Sequence, residues 1–426
     1  MTQPATQGQL KLCFKVLQLL LLTNLAAWAM PGVAVASGGL KDSPKTLVDE
    51  VWQFVNSYYV DRDFNHQNWQ AIRTSLLSKQ YTSNEQAYET IRTTLASFND
   101  PFTRFLAASE YASLQKQTTG GEVGAGVELA IDGDKVTVAK IAANSAAAKS
   151  DLKVGDQVLA IDGRSTRNLP LERANKLTKG YAGTPLMLVV TRPQKDPFLV
   201  KIIREGPIDP TVQAQVTPIV SGKAGYIRLS GFNANSAQEM SEAIAKLKKE
   251  QVQGFILDLR DNPGGLLEKG LEIAAMWIDR GVLVQILSRK GEKEQVKARN
   301  NALTDLPLVV IVNGESASAS EILAGALQDN RRATVIGSKT FGKALVQAVH
   351  ELSDGSAIVI TVAHYYTPKG TDIAHTGVAP DVAVSLDTTQ DYLLKANPLL
   401  WGTVRDPAFS RALEVLATKI RTPLVR

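Results

Sequence analysis

Leu308-Val-Val-Ile-Val-Asn-Gly-Glu-Ser-Ala-Ser-Ala-Ser-Glu-Ile322 joins an unbroken apolar run to a turn and a set of alternating serines. A short run of this kind reads as a strand buried on both faces, and the small residues behind it open a helix. Strand, tight turn and helix in that order predict a parallel α/β layer. The pattern extends both ways along the chain. Residues 224–229 read as a strand and 236–249 as an amphipathic helix. Residues 255–259 are a second buried strand, 266–278 a helix, and 334–337 a further strand. In such layers sites form where strands end at their carboxyl sides, and the serines sit at one of those ends.

Around this core the texture changes. Val48, Val51, Trp52, Val55 and Tyr59 recur at helical spacing, and a short helix follows Asn99-Asp-Pro101. From residue 118 glycines and alternating apolar positions predict short strands joined by tight turns. The reading is a multidomain α/β chain. It comprises a signal peptide at 1–36, a helical region at 37–117, a β-rich domain at 118–204, an α/β core at 205–387, and a partly helical C-terminal extension at 388–426 packing on the core.

A hydrophobic fraction of 44% and a charged fraction of 21% are ordinary for a globular chain. The net charge of +5 is scattered, so no nucleic-acid footprint is expected. Lys11 and Lys15 precede an apolar stretch that ends at Pro31-Gly32, and Ala34-Val35-Ala36 fits a cleavage site. An uncleaved anchor is the competing reading, but the stretch falls short of the roughly 20 residues a span needs. Cleavage removes Cys13, the single cysteine, and excludes disulfides and thiol catalysis from the mature chain. No stable membrane span then remains. The expectation is an exported protein. No metal or cofactor is expected, and the sequence is silent on oligomeric state.

The middle serine, Ser318, follows the strand and opens the helix, flanked by alanines that let a substrate backbone approach. The Ala319 N–H can hold a developing oxyanion, with a second donor from Gly264 or Gly265 in Asp258-Leu-Arg-Asp-Asn-Pro-Gly-Gly265, or from Gly231. The competing reading is a helix cap, because Ser318-x-x-Glu321 also fits a capping box. A serine needs a base. None of the four histidines is convincing, since His66 lies in the N-terminal helices, His350 and His364 flank strands and His375 sits in a loop with no obvious orienting acid, whereas Lys343, in the loop Thr340-Phe-Gly-Lys343, lies near the same strand ends. To act at neutral pH its pKa must fall by about 3 units, which an apolar wall can produce. Phe341, Ala344 and Leu345 are expected to form that wall, with Gln347 orienting the amine. Ser113-x-x-Lys116 and Ser150-x-x-Lys153 are read as chance spacings. The absence of a G-x-S-x-G elbow argues against an ordinary α/β-hydrolase.

The run Ser316-Ala-Ser-Ala-Ser-Glu-Ile322, followed by Phe341-Gly-Lys343 and Gln347, resembles the carboxyl-terminal processing peptidases, or tail-specific proteases, over nearly the whole mature chain. The resemblance implies a Ser318–Lys343 catalytic dyad supported by Gln347. It places the oxyanion donors on Ala319 and the Gly264-Gly265 pair, with Glu321 and Thr340 near the site. Family members usually carry Gly after the lysine, where this chain has Ala344. Asp329 matches a position sometimes counted as catalytic, but a continuous helix would put it about 16 Å from Ser318, so it is read as structural. The β-rich domain resembles a PDZ module, which binds free C-termini by strand addition. Gly124-Ala125-Gly126-Val127 fits its carboxylate loop. Lys179 either senses the bound tail or is merely exposed.

Val51-Trp-Gln-Phe-Val-Asn-Ser-Tyr-Tyr-Val60 and Asp100-Pro-Phe-Thr-Arg-Phe-Leu106 are similar to the cyanobacterial and chloroplast branch. That branch includes the enzyme that trims the photosystem II reaction-centre precursor. The expectation is an exported serine endopeptidase of the periplasm or thylakoid lumen, acting on protein substrates with free C-terminal tails. The rivals are a non-catalytic adaptor that tethers C-termini, and the same protease acting on other cell-envelope proteins.

Overall fold

The computed structural model describes residues 43–119, 122–143, 145–181, 184–204, 210–219, 222–397 and 400–421. The segment read as a signal peptide, Cys13 included, lies outside them, as does most of the linker at 205–210. Among the described residues no helix is long and apolar enough to cross a membrane. The chain forms two compact units.

The first unit holds the chain up to residue 111 together with 287–292 and 345–364. Its helices are Pro44–Tyr58, Trp69–Ser78 and Asn84–Ala96. Val48, Val51, Trp52, Val55 and Tyr59 are buried, as their spacing predicts. Asn68 and Ser83 cap the second and third helices through side-chain oxygens. The helical core is completed by residues far away in sequence. The strand that opens at Ala357 pairs antiparallel with Arg104–Leu106 on one side and Leu345–Glu351 on the other, and Leu352, Ile358 and Ile360 join the helices' apolar cluster. A domain boundary running continuously from 205 to 387 does not foresee this, because nothing in an apolar strand names the helices it will cover.

The second unit contains two six-stranded sheets and a two-stranded one that pairs Glu122–Gly124 with Lys179–Tyr181. The β-rich part is a curled antiparallel sheet of Val127–Asp132, Lys135–Ile141, Gln157–Ile161, Pro185–Arg192 and Lys195–Ile203 in spatial order, with Arg164–Ser165 attached to the third of these. Its inward residues, among them Leu129, Val138, Val158, Leu186, Leu188 and Val190, pack with Ala174 of the helix Leu171–Thr178. The α/β part is a six-stranded sheet in the order Val212–Ile219, Gly222–Leu229, Phe255–Asp258, Leu308–Val312, Thr334–Gly337, Val382–Ala383. After an antiparallel first pair the ladder is parallel throughout. Phe255–Asp258 and Leu308–Val312 are buried at every position, which is why they read as continuous apolar runs. On one face Phe409, Ala412 and Leu416 of the helix Pro407–Arg421 cover Ile256, Val309 and Ile311. The C-terminal extension therefore completes the core.

A buried charge network fixes this extension to the strand ends. Arg260 donates to Asp258 Oδ1 from Nε at 3.0 Å and to Asp406 Oδ1 from Nη1 at 2.9 Å. Tyr226 donates to Asp258 at 2.8 Å. Asp406 in turn accepts from the Phe409 N–H at 3.2 Å, at the start of the last helix. Arg228 and Arg260 stack on Trp401 at 3.6 and 4.3 Å from the ring centroid. Burial alone would raise the Asp258 carboxyl, but the Arg260 guanidinium more than offsets this and holds it below its ordinary 3.8. A carboxyl depressed in the folded state stabilises above its unfolded value, and that stabilisation fades as pH falls through the folded one. Arg260→Ala leaves two buried carboxylates without their cation and should cost about 3–5 kcal/mol. Chemical denaturation at neutral pH measures it. A wild-type midpoint would show that the network carries no stability.

Candidate active site

The carboxyl ends of Phe255–Asp258, Leu308–Val312 and Thr334–Gly337 open into three loops that meet around the start of the helix Ala319–Asp329. Ser318 sits immediately before that helix with φ +57° and ψ −115°. A non-glycine residue there stores roughly 1–3 kcal/mol of backbone strain. The turn holds because its neighbours are tied down. Ser316 Oγ donates to the Leu259 carbonyl at 2.8 Å and Ser320 Oγ to the Asn262 carbonyl at 2.9 Å. Ser316 and Ser320 are fully buried, while Ser318 is half-buried. Of the three alternating serines, the outer two hold the turn to the neighbouring strand end and the middle one is presented.

The capping box forms, with the Ser318 side chain toward the Glu321 N–H and the Glu321 side chain toward the Ser318 N–H. Glu321 reaches back to accept from the Ser318 N–H at 2.9 Å, but the Glu321 N–H donates to the Ser318 carbonyl at 2.9 Å. The Ser318 hydroxyl makes no capping hydrogen bond of normal geometry. Glu321 does more than cap. Its carboxylate is completely buried. Oε2 also accepts from the Lys343 N–H at 2.8 Å, and Oε1 accepts from Thr340 Oγ at 2.6 Å and the Gly342 N–H at 2.7 Å. One oxygen thus holds the backbone nitrogens of Ser318 and Lys343 closer together than the sum of two hydrogen bonds. All four partners donate, so the carboxylate serves purely as an acceptor.

The opposite side of both residues is held by Tyr365. Its hydroxyl bridges to the Ser318 carbonyl at 3.2 Å and to the Lys343 carbonyl. Burial, and then the Glu321 charge, push the phenol well above its ordinary value, so it stays a donor. Sequence reasoning did not single out Tyr365. It lies in an alternating apolar strand where a tyrosine looks like any other core residue. The signal for Glu321 was present, but its link to the lysine loop was not.

Gly264 stands against the serine turn. A β-carbon there would lie 2.8 Å from Ser318 Cβ and 2.7 Å from the Ala317 carbonyl oxygen. Its own N–H donates to Asn262 Oδ1 at 2.9 Å. Among the described residues the N–H groups of Ala319 and Gly265 have no acceptor. Lys343 is half-buried in its loop. The expected apolar wall is only partly formed, because Phe341 is 55% exposed while Ala344 is buried. Phe341 turns outward because its N–H is drawn to the Ser316 carbonyl at 3.1 Å. Ala344 does not lie in the left-handed region, so its methyl costs no backbone strain. Gln347 is in the first unit, on the strand Leu345–Glu351, in register with Thr361. Among the described residues its Nε2 is buried without a partner.

Asp329 ends the helix and binds the Lys369 N–H at 2.9 Å, a structural tie of the kind expected. His375 donates its N–H to the Gly342 carbonyl at 2.9 Å, but its side chain is exposed. His350 stacks on Phe54 and Tyr58 in the first unit.

In the β-rich part, the Ala125 carbonyl accepts from the Ala147 N–H at 3.0 Å and the Gly126 carbonyl from the Ala142 N–H at 2.8 Å. Gly126 has φ +80°, and a β-carbon there would fall 2.1 Å from Ser145 Cβ. Val127 opens the edge strand beyond it. Gly124 pairs in register with Lys179, whose side chain is exposed. The glycine loop and the lysine, distant in sequence, are therefore neighbours.

Comparison with known proteins agrees with this layout. Residues 223–384 match the model of peptidase family S41, and residues 112–191 match the PDZ domain. The carboxyl-terminal-processing protease of Picosynechococcus sp. is 41% identical over 87% of this chain and 88% of that one. The chloroplastic C-terminal processing peptidase of Tetradesmus obliquus is 38% identical over 84% of this chain and 79% of its own. Among solved structures, a photosystem II D1 C-terminal processing protease is 35% identical, with a TM-score of 0.55 over 86% of this chain and 99% of that one.

The bridging phenol gives a direct expectation. Tyr365→Phe keeps the ring in its cavity and removes only the link between the Ser318 and Lys343 carbonyls. Turnover of a tailed protein substrate should fall about tenfold or more, because small misplacements of reacting groups are costly. The melting temperature should stay close to wild type. An unchanged kcat would show that the link does not position the site.

Proposed function

The chain belongs to peptidase family S41 as a PDZ-bearing carboxyl-terminal-processing protease, and from that premise we propose that it cuts with Ser318 as nucleophile and Lys343 as general base. The observation that carries this reading is the shared Glu321 oxygen, which straps the two residues together without using either reactive side-chain atom. The Lys343 amine takes the proton of Ser318 Oγ as the oxygen attacks the scissile carbonyl carbon. The resulting oxyanion is stabilised by the Ala319 N–H and by a glycine N–H of the Gly264-Gly265 pair, for which Gly265 retains an uncommitted donor. Collapse breaks the C–N bond, and the leaving amine takes the proton from Lys343. Water, deprotonated by the Lys343 amine, then attacks the acyl carbon, and as the ester bond breaks Ser318 Oγ takes the proton back from Lys343.

The PDZ domain delivers the substrate. A C-terminal tail adds as a strand to Val127–Asp132, its carboxylate meets the loop Gly124-Ala125-Gly126-Val127, and Lys179 supplies a nearby positive charge. The likeness to a photosystem II D1 processing protease supports that precursor as the substrate, and an exported location in the thylakoid lumen or periplasm. A deletion strain should then accumulate the untrimmed precursor. Accumulation of other untrimmed envelope proteins in its place would reassign the substrate while leaving the enzyme class.

Ser318→Ala and Lys343→Ala should each abolish cleavage of a tailed substrate while leaving circular dichroism and melting unchanged. Full turnover by either purified variant would overturn the dyad. Activity of the wild type should climb across roughly pH 5 to 9 as the amine loses its proton, and a flat profile would count against an amine base.

A further inference from the structure

Among the described residues the strand Val127–Asp132 lies at the edge of its sheet, paired only with Lys135–Ile141. An edge strand presents unpaired N–H and C=O groups, and these are what a docking peptide strand uses. At the centre of this edge the groups are already taken. The Leu129 N–H donates to Asn175 Oδ1 at 2.9 Å, and Asn175 Nδ2 donates to the Leu129 carbonyl at 3.0 Å. A primary amide offers one acceptor and a pair of donors side by side. It reproduces the hydrogen-bonding face of a single residue of a neighbouring strand.

Resting on the reading of this groove as the tail-binding site, we propose that Asn175 is a built-in competitor for the incoming peptide. The tail displaces the amide before it can pair with Leu129. With its carboxylate at the Gly124–Val127 loop, a tail runs antiparallel to the strand, and Leu129 meets it about two residues before its end. Holding the helix in place does not require the amide. Ala174 is fully buried in the domain core, and Leu171 and Leu177 pack against that core on the same helix. Asn175 itself is only half-buried, which leaves room for its side chain to swing away. The consequence is selectivity by backbone. Only a chain that supplies both a donor and an acceptor at that register, together with a terminal carboxylate, repays the lost pair.

The test uses the full chain carrying Ser318→Ala, so that bound tails are not cut, with Asn175 intact or changed to Ala. The probe is a library of labelled decapeptides randomised at the last four positions, with free or amidated C-termini. Asn175→Ala should bind free-carboxylate peptides about fivefold more tightly, equivalent to ~1 kcal/mol at 1.4 kcal/mol per tenfold. Hydrogen exchange at the Leu129 amide should accelerate in the same variant and slow again with peptide bound. Equal or weaker binding alongside accelerated exchange overturns the competitor and leaves the groove reading standing. If neither protein retains free-carboxylate peptides over amidated ones, the groove reading falls and the competitor with it. Should Asn175→Ala unfold the domain, Asn175→Asp decides. It keeps the acceptor and loses the donor, so an affinity no tighter than wild type rejects the proposal.

Discussion

A single buried carboxylate fixes the relation between the serine turn and the lysine loop. Glu321 is fixed by the helix that Ser318 opens, and it gathers the Thr340–Lys343 loop through three donors. Without an acceptor there, the Gly342 and Lys343 N–H groups and the Thr340 hydroxyl would each carry a desolvation cost of about 1–3 kcal/mol. The loop is therefore pulled to the serine by its own need for hydrogen bonds. Tyr365 closes the opposite side through the two carbonyls. The Ser318 and Lys343 side chains take no part in either link, so the relation between the two residues is set by main chain.

Such an arrangement needs a rigid floor. The parallel strands Phe255–Asp258 and Leu308–Val312 are covered on both faces, and the last helix of the chain supplies one cover. The Asp258–Arg260–Asp406 network then ties that helix to the loop that carries Gly264. Gly264 packs against Ser318 with no space for a methyl. The C-terminal segment thus reaches the site through one guanidinium. Strain at Ser318 persists because Ser316, Ser320 and Glu321 over-determine the turn.

Much of this was legible in the sequence wherever the signal is local. The strand Leu308–Val312 and the helix Ser236–Lys249 begin and end where their patterns do. The glycine pair and the alternating serines fell at strand ends because turn chemistry is written in neighbouring residues. What could not be read is pairing between distant segments. The hairpin of Leu345–Glu351 with the strand from Ala357 belongs with the N-terminal helices, yet its residues look like any buried strand. Tyr365 and Asn175 act through main-chain groups more than twenty residues away, and no spacing rule connects them. Phe341 looked like wall material by composition, but one hydrogen bond from its N–H to the Ser316 carbonyl turns it outward.

The two functional regions of the second unit solve the same problem in different ways. A protein that handles peptides must keep backbone donors open, while a folded chain satisfies nearly all of its own. At the serine turn, among the described residues, the donors of Ala319 and Gly265 stay open beside a positive φ at Ser318 and at Gly265. At the edge strand the ladder runs on apart from a bulge at Glu128/Leu129, and an uncovered edge would invite pairing with any extended chain. There the donor and acceptor of Leu129 are closed by a side chain that can leave. Strain suits the reacting centre, where geometry must not change between turnovers. A reversible plug suits the recognition strand, where the correct tail has to be told apart from every other exposed segment.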